Sequence, residues 1–443
     1  MQILIDLIDQ FNTLVWTYIL PAILLFLGIL MTIKLKGYPQ RNMHTALKYL
    51  ISSTKSKHGA GSISPLAALA LALSATVGIG NIVGVLSAIQ LGGPGALFWM
   101  WIVGIIGITL KYSETTLALK YRQVNHKGQY TGGPMYYLRD GVGSNLLAII
   151  FALSAIAAIL LGIATFPQVH SIIDIFTHTF ETPLILTSLV LSLAVAAITL
   201  GGLKSTARIA TIIMPFIITL FIGGSLFLIL SRYQEVPAAF ALIFKSAFSP
   251  TAAVSGGTGY AIKLAIEQGA RRGIFSNESG LGSASIAAAT AFNIRPAQQG
   301  LVHVLEVVID TLIINTLVGL LVIMSGVYTQ SGPEQVLLNL IFEDPTYIGQ
   351  VTMTVSLVFF AFTSIVAWSY YGSQCAYFLW GEKGKKIFHY VFVVVIFIAG
   401  FVDWATIWTL SDLTTGILVF PNLIGLFLLR HEVLEETNKN RIH

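Results

Sequence analysis

A glycine-rich stretch interrupts a long apolar run near the start of the chain. Residues 74–84 read Ser-Ala-Thr-Val-Gly-Ile-Gly-Asn-Ile-Val-Gly and lie inside an apolar segment at residues 65–90. Glycine destabilises a helix interior by about 1 kcal/mol relative to alanine, and backbone inside a bilayer must satisfy its own hydrogen bonds. We therefore predict a helix that breaks at membrane depth, where the freed backbone groups form a binding site.

The composition is that of a polytopic membrane protein. Of the 443 residues, 55% are hydrophobic and 10% are charged, whereas soluble domains carry about 25% charged residues. We predict a single transmembrane domain over residues 1–443. The single Cys375 excludes an intramolecular disulfide framework and a multi-cysteine metal site. We expect no removable signal peptide, because the N-terminus has neither a basic region nor a small-residue cleavage site.

Long apolar runs predict about eleven transmembrane helices, since a helix needs about 20 apolar residues to cross the hydrocarbon core. The expected spans are residues 13–33, 65–90, 96–120, 146–175, 182–200, 206–231, 253–293 (interrupted), 301–326, 349–378, 388–408 and 411–429. The predicted fold class is therefore an all-α polytopic membrane protein.

Basic residues concentrate in every second predicted loop, and the loops between them are short or acidic. The basic loops carry Lys34, Lys36, Arg41, Lys48, Lys55, Lys57, Arg122, Lys127, Arg139, Lys204, Arg208, Arg295, Lys383, Lys385, Lys386, Arg430, Lys439 and Arg441. The positive-inside rule then predicts an external N-terminus and a cytoplasmic C-terminus in the cell inner (plasma) membrane. The formal charge of +5 is thus a topology signal, and we expect the lipid bilayer, with no nucleic acid, as partner.

Ten spans remain when the first is set aside, and they divide into two groups of five. The extra helix and its cytoplasmic loop occupy residues 1–60, the first group 65–231 and the second group 250–430. Because five is odd, the second group must enter the membrane from the opposite side. Its opening span is also interrupted by glycines, namely Gly269, Gly273, Gly280 and Gly282. Broken spans at corresponding positions of two inverted halves are typical of secondary transporters with a site near the midplane.

The first break would expose two kinds of backbone group. Carbonyl groups before it can ligate a dehydrated cation, and N–H groups after it, at the positive end of the helix dipole, can bind a carboxylate. Asn81 adds a side-chain carbonyl. Two alternatives remain open: Gly80 and Gly84 have the Gly-x-x-x-Gly spacing of a helix contact, and residues 76–80 resemble a potassium-channel filter.

The second break, at residues 270–283, is unusually polar for a membrane segment. Arg271, Arg272 and Glu278 are expected to hold the break together or to gate it from the cytoplasm, because unpaired charge near the bilayer centre costs at least about 3 kcal/mol. Ser276 and Asn277 are the candidates to face a ligand. The alternative is an ordinary loop at the cytoplasmic surface.

Adjacent hydroxyls at Thr363 and Ser364 lie inside the apolar run 356–368. Such hydroxyls usually bond back to their own helix. Combined with freed carbonyls at Ser74 and Val77, they would complete an all-oxygen shell for a hard monovalent cation, which is the functional interpretation that we favour.

Four ionisable side chains are expected within spans. Lys111 and Glu114 are three residues apart and Glu306 and Asp310 four apart, so each pair shares a helical face. Intramembrane ionisable residues are functional candidates, but each pair can also be an internal ion-pair anchor. Glu306 and Asp310 need a cationic partner or a shared proton.

Several motifs together resemble the alanine or glycine:cation symporter family. The tightest match is GGPGALFWMW at residues 92–101. Further matches, in the order of the family, are GIGNIVGV at 78–85, TGGPMYYL at 131–138, GGLKSTARIA at 201–210, RGIFSNESGLGSAS at 272–285, QGLVHVLEVVIDT at 299–311 and FFAFTSIVAWSYYG at 359–372. The resemblance covers residues 65 to 380.

The resemblance implies the leucine-transporter-like fold and sodium-coupled uptake of a small neutral amino acid such as alanine or glycine. It implies one sodium ion bound by the carbonyls of Ser74 and Val77 with Thr363 and Ser364. It also implies the following substrate-site residues: Thr76 and Asn81 near the substrate carboxylate and any second ion, and Gly78, Ile79 and Gly80 as N–H donors to that carboxylate. This sequence departs from the family's usual Asn-Met-Val-Gln, since residues 164–168 read Ala-Thr-Phe-Pro-Gln; Gln168 remains the candidate amine or carboxylate partner.

We therefore interpret the chain as a sodium-coupled symporter that works by alternating access, with Phe275 and Trp368 as walls limiting side-chain size. Coupling requires the ion and the carboxylate to share one closed geometry. The closest alternative is a proton-coupled transporter of the same fold. A membrane enzyme is the competing class, since Ser283 and His303 could form a Ser/His pair, but nothing in the sequence orients that histidine.

Overall fold

The protein is almost entirely helical in the computed structural model, which describes residues 2–54, 63–248, 258–292, 294–332 and 334–441. The α-helices are α1 Gln2–Leu14, α2 Leu20–Lys34, α3 Tyr38–Arg41, α4 Met43–Thr54, α5 Pro65–Thr76, α6 Ile79–Gly92, α7 Gly95–Lys120, α8 Pro134–Tyr136, α9 Asn145–Leu161, α10 Phe166–Phe180, α11 Leu184–Thr199, α12 Gly202–Ser231, α13 Val236–Phe248, α14 Thr258–Asn277, α15 Ser283–Ala288, α16 Pro296–Val307, α17 Asn315–Ser325, α18 Glu334–Ile341, α19 Ile348–Ala399, α20 Trp404–Leu428 and α21 Arg430–Arg441. π-helical turns occupy Val15–Ile19, Tyr137–Gly141 and Val308–Ile314, and 3-10 turns occupy Tyr233–Glu235 and Val327–Thr329. Strands β1 Gln123–Val124 and β2 Tyr130–Thr131 pair antiparallel.

Seven helical segments among the described residues are long and apolar enough to cross a membrane. They are Leu7–Lys34, Gly95–Lys120, Asn145–Thr177, Gly202–Ser231, Pro296–Ser325, Ile348–Ala399 and Thr406–Leu428. The bent pair α5 and α6 makes an eighth if it is one span. These segments make the chain a multi-pass helical membrane protein.

The expected total of eleven spans differs from this count for identifiable reasons. Helix α11 is apolar but shorter than the other spans. The expected spans 349–378 and 388–408 form one helical segment, α19, whose backbone leaves helical geometry at Gly381 (φ 64°). The expected span 253–293 is divided between α14 and α15, and its residues 253–257 lie outside the described residues.

The first predicted break is confirmed. Helix α5 ends at Thr76, α6 begins at Ile79, and the two axes differ by 41°. Ser64 caps the start of α5 by accepting a hydrogen bond from the Ala67 N–H. Gly78 at the break is extended (φ −143°, ψ −155°), so the chain changes direction without left-handed strain.

The second predicted break is confirmed only at its later glycines. The backbone adopts positive φ at Glu278 (53°), Gly280 (94°) and Gly282 (79°), between α14 and α15. Such angles favour glycine, because a side chain there is strained by about 1–3 kcal/mol. The chain is therefore irregular over residues 278–282.

Gly269 and Gly273 do not interrupt α14, contrary to the expectation from the sequence. A Cβ at Gly269 would lie 2.4 Å from the Ala96 carbonyl oxygen, so this glycine lets α14 approach α7 closely. Small residues have that role at many helix contacts in membranes. Glycine thus allows close helix packing within α14, whereas Gly280 and Gly282 allow the non-helical backbone that follows α14.

A third break, which the sequence did not predict, divides the expected span 146–175. Helix α9 ends at Leu161 and α10 begins at Phe166. Pro167 lies in the first turn of α10, where its missing N–H costs no helical hydrogen bond. The irregular residues between the helices direct the start of α10 toward the first break.

The two broken helices run antiparallel. Helix α6 packs along α14, and α5 packs against α15, so each half of one broken helix lies beside the opposite half of the other. Helices α12 and α19 pack against α5, and α7 packs against α16. The breaks therefore face each other in the interior of the bundle.

The N-terminal helical segment lies outside this pair and packs on α7 and α20. Trp16 is fully buried there, and its Nε1–H donates to the Asp412 carbonyl oxygen (2.9 Å). The extra helix is therefore integral to the bundle.

Candidate functional site

The first break leaves two carbonyl groups of α5 without their helical donors. In a continuous helix, the Gly78 N–H would donate to the Ser74 carbonyl and the Asn81 N–H to the Val77 carbonyl. Instead, the Gly78 N–H donates to Asn81 Oδ1 (2.9 Å), and the Asn81 N–H donates to the Gly78 carbonyl (3.2 Å). The Ser74 and Val77 carbonyl oxygens are thereby released from the helix, as a cation site at this position requires.

Side chains from two other helices contact the same break. The Ile79 N–H donates to Gln168 Oε1 of α10 (3.3 Å), rather than to the Ala75 carbonyl. That carbonyl instead accepts a hydrogen bond from Ser364 Oγ of α19 (3.1 Å). The break is therefore enclosed by α10 on one side and α19 on the other.

Asn81 is the centre of a fully buried polar cluster. Its Nδ2 lies 3.0 Å from Ser276 Oγ, 2.6 Å from Asp310 Oδ1 and 2.8 Å from Asn315 Oδ1. Ser276 Oγ donates to Asp310 Oδ2 (2.9 Å) and accepts from Asn315 Nδ2 (2.9 Å). We call Asn81, Ser276, Asp310 and Asn315 the Asn81 cluster; all four side chains are fully buried. It joins the two breaks through hydrogen bonds from the Asn81 and Asn315 amide nitrogens to hydroxyl, amide and carboxylate oxygens, while Asn81 Oδ1 is taken by the Gly78 N–H.

A π-helical turn brings Asp310 and Asn315 to one face. Residues five apart point in different directions on an α-helix, but Val308–Ile314 is π-helical, and its i to i+5 hydrogen bonds align such residues. π-turns of this kind are frequent at functional sites. Asn315 was absent from the sequence prediction, because α-helical spacing does not pair it with Asp310.

The third break positions Gln168. Thr165 Oγ1 donates to the Ile159 carbonyl (2.5 Å), which closes the turn before α10. Gln168 Nε2 donates to the Ile163 carbonyl (3.4 Å), while its Oε1 points to α6. A Cβ on Gly78 would lie 3.0 Å from Gln168 Nε2, so glycine at 78 lets the amide side chain reach the backbone.

The two predicted aromatic walls differ in their surroundings. Phe275 packs on Gly80, where an added Cβ would lie 3.3 Å from its Cδ1, and its ring centroid is 5.6 Å from that of Trp408. Trp368 is buried in α19 and makes an edge contact with Tyr371 at 5.5 Å. Phe275 therefore borders the start of α6 directly.

The hydroxyls of Thr363 and Thr76 bond within their own helices. Thr363 Oγ1 donates to the Phe359 carbonyl (2.8 Å), and Thr76 Oγ1 donates to the Ala72 carbonyl (3.2 Å). Ser364 alone of the two adjacent hydroxyls reaches α5. A hydroxyl oxygen keeps lone pairs while it donates, so the Thr363 and Ser364 hydroxyls retain the capacity to coordinate a cation.

Asn277 lies apart from the Asn81 cluster. Its Oδ1 accepts from the Ser279 N–H (2.9 Å), and it borders a small cavity beside Leu24, Gly107 and Leu110. The structure therefore does not bring Asn277 together with Ser276, although the two are adjacent in sequence.

Glu114 stabilises the second break. Its Oε1 accepts from the Gly280 N–H (2.8 Å) and from Asn422 Nδ2 (2.8 Å), and Asn422 also donates to the Gly280 carbonyl (2.8 Å). The backbone N–H and carbonyl of Gly280 are thus both hydrogen-bonded to side chains, from α7 and α20 respectively. The fold therefore stabilises the irregular backbone of the second break with specific side-chain hydrogen bonds.

An ion pair and aromatic contacts cover the site from the α14 half of the second broken helix. Arg271 pairs with Asp412 of α20, and the Arg272 guanidinium lies 4.7 Å from the Trp408 ring centroid. Both arginines precede the break in the chain. These contacts join α14 to α20 beside the break, and the role of the two arginines in gating stays a prediction.

The family model described as the sodium:alanine symporter family matches residues 1–441. The chain belongs to this family. It is therefore an amino-acid:cation symporter, a transporter rather than an enzyme, as the motifs at residues 65–380 predicted.

Relatives of this symporter match over nearly their whole length. An uncharacterized transporter of Haemophilus influenzae is 41% identical over 98% of this chain and 95% of that protein. The sodium/alanine symporter AgcS of Methanococcus maripaludis is 37% identical over 98% and 96%, and the probable sodium/glutamine symporter GlnT of Bacillus subtilis is 35% identical over 97% and 89%.

The fold of the symporter resembles that of a leucine-transporter-like protein. The crystal structure of MhsT in complex with L-phenylalanine aligns with a TM-score of 0.62 over 85% of this chain and 92% of that chain, at 15% identity. The predicted fold family is thereby confirmed.

The geometry of the symporter also removes the Ser/His pair of the enzyme alternative. Ser283 Oγ donates to Glu278 Oε2 (2.6 Å), whereas His303 Nδ1 lies 3.2 Å from Glu306 Oε2. Lys111 Nζ forms a fully buried ion pair with Glu306 (2.9 Å). Lys111 is thus the cationic partner that Glu306 required. Glu306 and Asp310 have different hydrogen-bond partners, since Asp310 accepts from Asn81 and Ser276.

Proposed function

We propose that this symporter imports a small neutral amino acid of the alanine or glycine type and uses sodium as the coupling ion. The observation that carries the proposal is the Asn81 cluster, which lies directly beside the start of α6. The cluster holds one carboxylate, and among the described residues no Lys or Arg pairs with Asp310. A monovalent cation is the partner that this buried charge lacks.

A second set of oxygens supports an additional sodium site. The carbonyls of Ser74 and Val77 are released by the break, and Thr363 and Ser364 lie on the helix that packs against α5. These are neutral, hard oxygen ligands, as an alkali cation prefers. In this proposal, sodium bound here holds α5 against α19.

The substrate site in this proposal begins at the first turn of α6. The N–H groups of Gly78, Ile79 and Gly80 lie at the positive end of the α6 dipole, where a carboxylate is favoured. In the structure, the Ile79 N–H donates to Gln168 Oε1. In this proposal the substrate carboxylate replaces Gln168 Oε1 as the acceptor, and the Gln168 amide oxygen then binds the substrate ammonium group. Thr76 lies near the carboxylate.

The side-chain pocket is proposed to be small. Phe275 packs against Gly80, and Trp368 is the second wall. The relatives AgcS and GlnT carry alanine and glutamine in their names, and the contact of Phe275 with Gly80 favours the smaller substrate. Asn277 lies apart from the Asn81 cluster, and we propose no substrate contact for it.

The proposed transport cycle uses two inverted halves of five spans, at residues 65–231 and 250–430, after an N-terminal helix. The antiparallel packing of the broken helices supports this arrangement. With the N-terminus outside and the C-terminus in the cytoplasm, the Arg271–Asp412 pair closes the external side. Opening this pair would admit substrate, and rocking of the halves would release it inside.

Uptake into liposomes tests the proposal. Purified protein is reconstituted into vesicles free of sodium, and labelled alanine or glycine is added with sodium or choline chloride outside. We expect uptake above the equilibrium level only with an inward sodium gradient. Equal uptake in choline would refute sodium coupling, and no transport of either amino acid under any gradient would refute the substrate class.

Proton coupling is the second candidate, because Asp310 could carry a proton in place of a cation partner. The same vesicles separate the two mechanisms. Uptake driven by an inward proton gradient in sodium-free buffer would favour the proton, and uptake that requires sodium at every pH would exclude it.

A further inference from the structure

A second polar cavity lies outside the central site, between three separate parts of the chain. Its volume is about 260 Å³. It is bordered by the β1–β2 hairpin, by the start of α12 and by α19 on both sides of Gly381. All three belong to the side of the molecule that carries the basic loops, so in the proposed orientation the cavity opens toward the cytoplasm.

Three lysines from these three parts surround the cavity. They are Lys127 from the hairpin, Lys204 from α12 and Lys385 from α19. Lys127 is neutralised by Glu382 (2.9 Å). Among the described residues, Lys204 and Lys385 form no ion pair, so the cavity keeps an excess of two positive charges.

Neutral hydrogen-bond donors complete the lining. Gln374 is only 6% exposed, borders the cavity and has no hydrogen-bond partner among the described residues. The backbone of Gly202 and Leu203 presents the N-terminal end of the 30-residue helix α12, where N–H groups favour an anion. A buried amide, a helix N-terminus and two lysines without ion-pair partners therefore converge on one space.

We propose that this cavity binds a phosphate group, either inorganic phosphate or the headgroup phosphate of an anionic lipid. A phosphate offers several acceptor oxygens and negative charge, which match the amide, the helix N–H groups and the two lysines. A zwitterionic amino acid fits less well, because Glu382, the only acidic group that borders the cavity in the described part of the chain, is already paired with Lys127. The site is separate from the Asn81 cluster and does not depend on the substrate proposed above.

Thermal unfolding of the full-length protein tests the site without using transport. The protein is placed in nanodiscs of phosphatidylcholine alone or with increasing phosphatidylglycerol, and inorganic phosphate is titrated in the neutral discs with chloride at equal ionic strength as reference. The variants are Lys204→Gln, Lys385→Gln and their combination. Lys386→Gln is the matched control, since it is an exposed lysine next to the cavity that does not border it.

We expect one of the two phosphate sources to raise the unfolding temperature of the native chain and of Lys386→Gln. Each cavity lysine removed should weaken the apparent affinity about fivefold, because a lysine contributes about 1 kcal/mol near an anionic surface. A response to phosphatidylglycerol alone identifies a lipid headgroup, and a response to inorganic phosphate identifies a soluble ligand.

Three results would overturn the proposal. One is the absence of any response to both phosphate sources, and another is a response that Lys386→Gln weakens as much as Lys204→Gln does. The third is stabilisation by alanine or glycine that the cavity variants remove, which would make the cavity a substrate subsite. If the double variant fails to fold, the exposed Lys204→Gln alone retains the test.

Discussion

Replacing Asp310 with asparagine removes the only charge of the Asn81 cluster. Asp310 Oδ1 lies 2.6 Å from Asn81 Nδ2, and Oδ2 lies 2.9 Å from Ser276 Oγ. A cation held among these groups would lie within about 4 Å of the carboxylate. Two unit charges at that separation interact by about 4 kcal/mol at an effective dielectric constant of 20. Asp310→Asn should therefore weaken sodium binding by about a thousandfold.

The assay is labelled alanine uptake into proteoliposomes as a function of external sodium. The half-saturating sodium concentration of Asp310→Asn should move out of the accessible range, while its unfolding temperature stays close to that of the native chain. Asn315 offers a matched rescue, because its Oδ1 lies 2.8 Å from the same Asn81 Nδ2. The double variant Asp310→Asn with Asn315→Asp restores the charge to the cluster and should recover sodium dependence.

A half-saturating sodium concentration within tenfold of the native value in Asp310→Asn would refute this reasoning. If the variant instead loses a pH dependence while sodium dependence is unchanged, Asp310 carries a proton. Failure of the rescue together with normal folding would mean that the carboxylate must lie at residue 310 itself.

Two further substitutions test the packing of the site and the buried ion pair. Gly80→Ala places a Cβ 3.3 Å from Phe275 and should raise the KM for alanine about fivefold. Gly84→Ala is the control, because an added Cβ there meets open space and should leave uptake unchanged. Equal KM values for the two variants would contradict the proposed wall. Lys111→Met leaves Glu306 buried without its cation and should lower the free energy of unfolding by about 3–5 kcal/mol, which adding Glu306→Gln should largely restore in denaturation measurements. Additive losses in that double variant would show that the pair does not act as a unit.

The first break and its polar residue could be predicted from the sequence, because several glycines and Asn81 in one apolar run have few structural explanations. The second break was predicted over residues 270–283, a wider range than the irregular residues 278–282. Gly269 serves close packing on α7, and Gly280 serves a left-handed backbone conformation. Composition alone does not distinguish these two uses of glycine, since both depend on what lies opposite.

The π-helical turn explains most of what the sequence did not reveal at the site. A π-turn has no composition signature of its own, so α-helical spacing separates Asp310 from Asn315 and pairs Asp310 with Glu306. In the structure, Glu306 instead forms an ion pair with Lys111, and Asp310 accepts a hydrogen bond from Asn81. Asn277 is the converse case: it was predicted together with Ser276 as a polar residue of the second break, but adjacent residues at the end of a helix point to different faces.

The central claim is that sodium and the substrate carboxylate share one closed geometry at the start of α6. Equilibrium binding tests it most directly, because any strengthening of alanine binding by sodium must be matched by an equal strengthening of sodium binding by alanine. Alanine affinity is measured by calorimetry in sodium and in choline buffer, with alaninamide as the analogue that lacks the carboxylate. We predict that sodium tightens alanine binding at least tenfold and leaves alaninamide binding unchanged. Equal alanine affinity in sodium and choline would contradict the account.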